Sequence, residues 1–291
     1  MQTIGLVGVG KIGLPIAENL IKSGFRVLGY RRSPMPEFEK AGGVVAKSPA
    51  DVGAQTDVVL SCMPSSESLQ EVIQGANGLV HSARPGQIVV ELGSHPLGVK
   101  SAQIAPLAAK GAAFIDGEVS GTPGMVSARK GVIYLGGDAD ACKTLEPVIA
   151  GFADSCIYFG PFGGASKVKL VNNLLVAVHI AAAAEAMALG LKAGVDIDLM
   201  IKAVATGSGG STQFGIRAPW MAEKRFLPVQ GAIPALTHYF DLIGEWADEA
   251  GVATPILDRV ADLYYRALDK GYGDRDVAVM VEFLGSLPRK G

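Results

Sequence analysis

The sequence predicts an α/β protein with an N-terminal doubly wound sheet, a long interdomain helix and an all-α C-terminal domain. Short apolar strands alternate with helical segments up to about residue 160. Beyond Ala165 the apolar residues keep the 3.6-residue period of helices. At 291 residues the chain exceeds what one hydrophobic core comfortably serves. We therefore expect two domains, residues 1–163 and 164–291.

The first predicted strand, residues 2–9, runs directly into a glycine-rich turn and an amphipathic helix. The turn reads G-x-G-x-x-G, a pattern typical of Rossmann-like dinucleotide-binding domains when strand and helix flank it. Its first glycine permits the tight turn, the second lets a pyrophosphate approach, and the third lets helix and strand pack closely. A purely structural glycine turn is the alternative. The predicted cofactor contacts are Gly8, Val9, Gly10, Lys11, Ile12 and Gly13.

The second predicted strand, residues 26–30, ends in Arg31, Arg32 and Ser33. A site for NAD would place an acidic residue near this point to bind the ribose 2′-hydroxyl, and this strand end carries none. Two guanidinium groups and a hydroxyl suit a 2′-phosphate, because arginine binds phosphate through two parallel hydrogen bonds and stacks on adenine. A solvated basic loop is the alternative. We therefore expect NADP(H) to be favoured over NAD(H).

Ligands of doubly wound sheets gather at the carboxyl ends of the strands. Met63, Pro64 and Ser94 follow two predicted strands and are therefore expected beside the cofactor. The stretch 119–124 offers a hydroxyl and consecutive N–H groups that could bind a carboxylate. Taken alone, it is better explained as an ordinary Ser/Gly/Pro turn. Strands are predicted at residues 57–63, 87–92, 113–118, 131–137 and 155–159, with a helix over 138–150.

A long helix of about 30 residues is predicted from the motif at residues 160–173 onward. Within it, Lys169 and Asn173 are spaced four residues apart and share one helix face. Lys167 lies roughly 200° around the helix from Lys169. This spacing makes Lys169 the candidate for chemistry. Further helices are predicted at residues 196–205, 211–223, 236–250, 255–270 and 274–284.

Composition narrows the function classes. The formal net charge of -2 and scattered basic residues provide no field for nucleic acid. Three cysteines match no metal-binding spacing, and we expect no metal and a reducing, cytoplasmic location. The predicted strand at the N-terminus argues against a targeting segment. Polar residues interrupt the apolar run 170–191, so we expect a buried helix and no membrane span.

On these motifs the sequence resembles the β-hydroxyacid dehydrogenases, which include 3-hydroxyisobutyrate dehydrogenase and the tartronate, glyoxylate and succinic semialdehyde reductases. The resemblance covers essentially the whole chain. It implies NADP-dependent hydride transfer to or from a small 3-hydroxy acid or semialdehyde carboxylate, and a homodimer or homotetramer. It also implies Lys169 as general acid/base, Asn173 as its partner, and a substrate stretch at Ser120, Gly121 and Thr122. The matching stretches are 5–13 with 17–20, 116–121 and 160–173.

The sequence departs from the family pattern at several positions. Thr122 replaces the last glycine of the substrate stretch, Glu118 replaces its proline, and Ala165 replaces a motif glycine. A Lys-Asp pair that the family places near the cofactor falls on His238 and the residue after it, so His238 is the candidate cofactor contact there. Two alternatives remain. One is an imine reductase, against which Lys169 argues, and the other is a non-catalytic NADP-binding sensor.

Overall fold

The computed structural model describes residues 2–288 and divides the chain into two compact units, one ending at Lys169 and the other starting at Leu170. Each unit has its own hydrophobic core. The domain boundary expected after residue 163 immediately precedes a helix of 30 residues, and the division between the units lies within that helix.

An eight-stranded sheet forms the first unit, in the order β3-β2-β1-β4-β5-β6-β7-β8. All neighbouring strands are parallel except β6 and β7. The chain leaves β1 toward β2 and β3 and then returns to add β4 on the other side, which confirms the doubly wound topology. Ligands of such sheets bind where the direction reverses. The strands are β1 Thr3–Val7, β2 Arg26–Tyr30, β3 Val44–Val45, β4 Val58–Ser61, β5 Ile88–Glu91, β6 Ala113–Ser120, β7 Val132–Gly136 and β8 Ser155–Tyr158.

Helices cover both faces of this sheet, because successive residues of its strands are buried in two different hydrophobic clusters. On β1, Ile4 and Leu6 belong to one buried cluster and Val7 to the other; on β4, Val58 and Val59 are divided in the same way. Successive side chains of a strand point to opposite faces, so a strand buried on both sides is apolar throughout. The helices are α1 Gly13–Lys22, α2 Pro36–Lys40, α3 Pro49–Gln55, α4 Ser66–Gln74, α5 Leu97–Ser101, α6 Ile104–Ala108, α7 Pro123–Ser127 and α8 Ala139–Ala150.

Three short helices, α5, α6 and α7, were not predicted. Helix α7 occupies the Ser/Gly/Pro stretch whose composition favours a turn. Thr122 precedes it, and the Thr122 hydroxyl accepts a hydrogen bond from the backbone N–H of Met125 at 3.4 Å. Pro123 follows at the first helical position, where a missing N–H costs little. A capped single turn of helix therefore replaces the expected loop.

Apart from one β-bridge, the described residues from Leu170 onward form helices, 3-10 turns and connections. The predicted helix over 274–284 was wrong at its start: Asp276 precedes a short 3-10 turn, Val277–Val279, and the α-helix begins at Met280. Asp276 is held by the bridge to Ala232, which prevents helical geometry there. The helices are α9 Gly164–Ala193, α10 Ile197–Thr206, α11 Thr212–Ala222, α12 Ile233–Ala250, α13 Pro255–Asp269 and α14 Met280–Ser286.

By length and composition alone, α9 could cross a membrane, with 39% of its most apolar window buried. A core helix of a globular protein passes the same test, so a single helix of this kind is weak evidence for a span.

Candidate active site

The glycine turn after β1 has the shape that a dinucleotide phosphate requires. Gly8 has a φ of 92°, and a side chain there would collide with the Cys62 carbonyl oxygen. A Cβ at Gly13 would strike the Gly8 carbonyl oxygen. At Gly10, by contrast, an added Cβ would meet no atom within 4 Å. Two glycines thus allow the close packing of the turn, and the third leaves backbone open to a phosphate. The turn fits the predicted cofactor.

Arg31, the residue directly after β2, stabilises this turn by hydrogen bonds to backbone carbonyls. Its Nη1 donates to the Val9 carbonyl at 2.9 Å, its Nε donates to the Ser33 carbonyl at 3.4 Å, and its Nη2 donates to the Pro34 carbonyl. Arg32 and Ser33 are exposed. The Arg31 guanidinium therefore holds protein backbone, while the side chains of Arg32 and Ser33 face solvent.

Glu91, at the end of β5, organises the two loops that carry Met63, Pro64 and Ser94. Its Oε1 accepts from the backbone N–H of Met63 at 3.0 Å and of Gly93 at 2.7 Å, and its Oε2 accepts from Ser61 Oγ at 2.5 Å. These bonds tie the end of β4 to the end of β5. Sequence reasoning missed Glu91, although a carboxylate that ends an apolar strand is an unusual feature.

The Glu91 carboxylate is fully buried, and His95 Nε2 lies 3.4 Å from its Oε1. Burial opposes ionisation of Glu91, but the contacts with His95 and Ser61 and the charge of Lys100 outweigh burial and lower its pKa. An ionised Glu91 accepts hydrogen bonds through both oxygens. The loop geometry therefore depends on a charged carboxylate.

The side chain of Lys169, a residue of α9, reaches the end of β6. Its side chain is buried, and Nζ donates a hydrogen bond to the Val119 carbonyl at 2.9 Å. Ser120 follows Val119 directly, so the ammonium group reaches the start of the predicted substrate stretch. Asn173, one helical turn further along α9, is also buried, whereas Lys167 is exposed. The contrast between the two lysines agrees with the predicted helix faces.

Behind this lysine lies a buried cluster centred on Lys100, which the sequence did not reveal. Lys100 Nζ donates to Asp116 Oδ1 at 2.8 Å, to Glu118 Oε1 at 3.0 Å and to the Gly117 carbonyl at 2.9 Å. Ser166, in the first turn of α9, donates its N–H to Asp116 Oδ2 at 2.9 Å and its hydroxyl to Asp116 Oδ1 at 2.6 Å. These contacts anchor the start of α9 to β6.

Two carboxylates share the single Lys100 ammonium group. Burial raises the pKa of Glu118, and the attractions to Lys100 and Lys169 only partly offset it. Burial opposes the charge of Lys100, but Glu118 and Asp116 outweigh burial and raise its pKa. Lys100 is therefore a fixed positive charge of the cluster, whereas burial favours the protonated form of Glu118. Alternation along β6 places Asp116, Glu118 and Ser120 on one face and is the signal that could have revealed the cluster.

Thr122 and His238 were also predicted as site residues. Thr122 uses its hydroxyl to cap α7 and sits between Ser120 and that helix. His238 is an exposed residue of α12 in the second unit, with its ring 5.4 Å from the Tyr239 ring. Its contact with a cofactor stays a prediction. Within residues 2–288, no group of three or more His, Cys, Asp or Glu side chains is placed to hold a metal ion.

Comparison with known proteins identifies both parts of the chain. Residues 3–160 match the family described as the NAD binding domain of 6-phosphogluconate dehydrogenase. Residues 163–284 match the family described as NAD-binding of NADP-dependent 3-hydroxyisobutyrate dehydrogenase. These two matches together span nearly the whole chain.

Individual relatives extend the match over the full length. The chain is 31% identical to the L-threonate dehydrogenase of Cupriavidus necator, covering 100% of this chain and 98% of that protein. It is 30% identical to the mitochondrial 3-hydroxyisobutyrate dehydrogenase of Rattus norvegicus, covering 97% and 86%. The crystal structure of 3-hydroxyisobutyrate dehydrogenase from Salmonella typhimurium has the same fold, with a TM-score of 0.85, 24% identity and coverage of 97% and 99%. The chain belongs to the β-hydroxyacid dehydrogenase family, and it is an NAD(P)-dependent hydroxyacid dehydrogenase.

Proposed function

We propose that the enzyme interconverts a small 3-hydroxy acid and the corresponding semialdehyde carboxylate, prefers NADP(H), and uses Lys169 as general acid/base. The observation that carries this proposal is the buried Lys169 side chain, whose Nζ binds the Val119 carbonyl directly before Ser120. A buried amine beside a hydroxyl and a short turn provides a proton donor next to a carboxylate-binding stretch.

The reaction divides between cofactor and protein. The nicotinamide ring, when bound, supplies or accepts the hydride at the substrate carbon. In the reducing direction, Lys169 as ammonium donates a proton to the carbonyl oxygen, which becomes the hydroxyl. In the oxidising direction, neutral Lys169 removes the hydroxyl proton. A positioned acid or base typically contributes roughly 10²–10⁴-fold to the rate.

Three further residues orient the substrate. Asn173 shares the helix face of Lys169 and donates a hydrogen bond to the substrate hydroxyl. Ser120 and the Gly121 N–H bind the carboxylate. Correct orientation in such reactions can supply several kcal/mol of the barrier, on the order of the effects seen for intramolecular reactions. We expect Thr122 to fill more of the space at the end of this stretch than the glycine of the family pattern would. Its hydroxyl is bound to the first turn of α7.

Preference for NADP(H) is supported by Arg32 and Ser33, which are exposed at the end of β2. Arg31, being bound to three backbone carbonyls, supports the site indirectly by holding the glycine turn. The family that matches residues 163–284 is described as NADP-dependent. Lys11 and Ile12, in the same turn, are proposed to contribute backbone N–H groups to the pyrophosphate.

Substrate class and setting follow from the same features. The relatives in Cupriavidus necator and Rattus norvegicus are both named for small hydroxy acids, which supports a small carboxylate as substrate. The net charge of -2 gives no support to a nucleic-acid partner, and we infer a cytoplasmic enzyme without a membrane span. Leu189 and Leu199 are exposed apolar residues that support a homodimer or homotetramer.

The test is a turnover assay with purified protein, following nicotinamide absorbance. The substrates are succinic, tartronic and methylmalonic semialdehydes and glyoxylate, each with NADPH and with NADH, and a cyclic imine tests the alternative reductase chemistry. Turnover of one semialdehyde with NADPH preferred supports the proposal. Turnover of the imine alone, or silence across the panel while NADPH still binds, overturns it.

A further inference from the structure

We propose that Glu91 is a positioning residue for the nicotinamide half of the cofactor, and that it acts through the two loops after β4 and β5. The Glu91 side chain is fully buried, so its effect on the cofactor passes through the backbone of Met63 and Gly93, which it binds. The inference rests on the cofactor site proposed at the glycine turn. It concerns binding of the cofactor and is separate from the chemistry on the substrate.

The order of the strands decides which half of the cofactor these loops face. One edge of the sheet runs β3-β2-β1-β4-β5, and a dinucleotide lies across the carboxyl ends of the strands where the direction reverses. The proposed pyrophosphate site follows β1, and the proposed 2′-phosphate site follows β2. The other end of the dinucleotide therefore extends over β4 and β5. Met63 and Gly93 follow these two strands and so face the nicotinamide half.

The loop after β4 packs directly against the glycine turn. A Cβ added at Gly8 would collide with the Cys62 carbonyl oxygen and would lie 2.5 Å from Met63 Cε. The Cys62 N–H donates to the Val7 carbonyl at 2.9 Å. A shift of Met63 therefore changes the surface that the cofactor meets next to its pyrophosphate.

The two loops meet at Gly93, where a side chain has no room. A Cβ added there would lie 2.6 Å from Glu91 Oε1, 2.7 Å from the Met63 carbonyl oxygen and 2.9 Å from His95 Nε2. Glu91 Oε1 holds the loops together, because it accepts from the Met63 N–H at 3.0 Å and from the Gly93 N–H at 2.7 Å. A single carboxylate oxygen thus fixes the spacing of the two loops.

The glycine turn has its own support from β2. The Gly8 N–H donates to the Tyr30 carbonyl at 2.9 Å, and Arg31 Nη1 donates to the Val9 carbonyl at 2.9 Å. Neither hydrogen bond involves Glu91, so loss of its carboxylate should leave the pyrophosphate end of the site in place. Binding of the two halves of the cofactor can therefore be separated by experiment.

The experiment compares complete cofactors with ADP, the part that both contain, in binding to the intact protein. Glu91→Leu removes both acceptor oxygens at nearly constant volume. Its Kd for NADPH and for NADH, measured by nicotinamide fluorescence, should each rise about tenfold, as expected for the loss of a charge-assisted hydrogen bond. Its Kd for ADP, measured by competition, should stay within about twofold. Glu91→Gln keeps one neutral acceptor and should lie between wild type and Glu91→Leu.

Ser61→Ala is the matched control for a purely structural role of the carboxylate. It removes the hydroxyl that donates to Glu91 Oε2 at 2.5 Å and leaves both loop hydrogen bonds on Oε1. Stability should fall, because a buried acceptor loses its donor, while the Kd for both cofactors stays within about twofold. A rise in Kd equal to that of Glu91→Leu would assign the effect to stability and overturn the proposal.

Gly93→Ala tests the junction of the loops with the carboxylate intact, even if Glu91→Leu does not fold. It should weaken both complete cofactors and spare ADP. Gly98→Ala on α5, where an added Cβ meets no atom within 4 Å, is its control and should bind as wild type. Unchanged cofactor affinity in folded Glu91→Leu or Gly93→Ala overturns the proposal, as does an equal loss for ADP. Binding needs no substrate, so the expected pattern in a protein inactive on hydroxy acids would contradict the proposed function alone.

Discussion

Each unit contains a buried cluster of acidic and basic side chains, one centred on Lys100 and the other on Asp276, and the two clusters differ in the number of carboxylates that face each cation. In the second unit, Asp276 Oδ1 accepts from Arg217 Nη1 at 2.6 Å, while its Oδ2 accepts from the backbone N–H groups of Gln230 at 2.9 Å and Gly231 at 3.0 Å. One cation faces one carboxylate. In the first unit, the single Lys100 ammonium group faces both Asp116 and Glu118.

This difference separates a structural cluster from a responsive one. The Asp276 carboxylate also accepts a hydrogen bond from the Ala278 N–H at 3.0 Å, and the Arg217 guanidinium neutralises its charge. These hydrogen bonds connect α11, the loop at residues 230–231 and the 3-10 turn after Asp276. In the cluster around Lys100, two carboxyl groups share one ammonium group. A buried charge with a full set of partners makes the structure around it rigid. A buried charge that shares its partner has a protonation state that depends on the charges of its neighbours.

The largest expected effect is on turnover. Lys169→Ala should lower kcat by about 10³-fold, because the reaction loses its proton donor and acceptor. NADPH affinity should stay within about twofold by fluorescence titration, since the cofactor contacts proposed for the glycine turn are untouched. The matched control is Lys167→Ala, an exposed lysine on the same helix, which should keep wild-type turnover. Retained activity in Lys169→Ala would remove the lysine from the mechanism.

The next effect is on stability of the second unit. Asp276→Asn should lower the free energy of unfolding by about 3 kcal/mol, because it leaves Arg217 buried without a counter-charge. Both tryptophans of the chain, Trp220 and Trp246, lie in this unit, so fluorescence during urea unfolding reports on it.

The control for Asp276 is Asp262→Asn on α13. Asp262 forms exposed ion pairs with Arg259 at 3.0 Å and Arg266 at 3.5 Å. Such pairs contribute less than about 1 kcal/mol each, so the loss should be small. Equal losses in the two variants would mean that the buried cluster is no more important than a surface one.

A third effect distinguishes two buried carboxylates of the first unit by pH. Burial raises the pKa of Glu118, so its contribution to stability is present below the ordinary glutamate pKa and is lost as pH rises through the raised value. Relative to wild type, Glu118→Gln should therefore gain stability as pH rises.

Glu91 should behave in the opposite way. Burial opposes its ionisation, but His95 and Ser61 together lower its pKa, so its contribution is present above the ordinary glutamate pKa and lost as pH falls. Glu91→Gln should lose stability most near neutral pH and little in acid. Urea unfolding followed by circular dichroism at several pH values measures both variants. Parallel pH dependences in the two would refute the assigned directions.

The smallest effect concerns Arg31 and Arg32, the two arginines after β2. Like the two buried clusters, they differ in how completely their charged groups are paired within the protein. Arg31 is saturated by backbone carbonyls, and Arg32 is exposed. Arg32→Ala should raise KM for NADPH by about 10-fold, the value of one charge-assisted hydrogen bond, and leave KM for NADH unchanged. Arg31→Ala should weaken both cofactors, because the glycine turn loses its brace. Equal weakening of both cofactors by Arg32→Ala would exclude a 2′-phosphate contact.

Local patterns in the sequence predicted the doubly wound sheet and the all-helical second half. The change from alternating strands to a 3.6-residue period is visible within short windows, and so is a glycine turn between a strand and a helix. The separation of Lys169 from Lys167 also needs only helix geometry. The short helix α7 and the late start of α14 were missed, because a side-chain cap and a β-bridge outweigh local propensity there.

By itself, the sequence determined whatever depends on neighbours along the chain: the periodicity, the glycine turn, and the shared helix face of Lys169 and Asn173. Only the tertiary structure decided which buried charges meet. Lys100 and Asp116 are 16 residues apart and Ser166 and Asp116 are 50 apart, so no local pattern pairs them. Burial in a shared low-dielectric core couples their charges, and that coupling exists only once the sheet and the first turn of α9 have packed together.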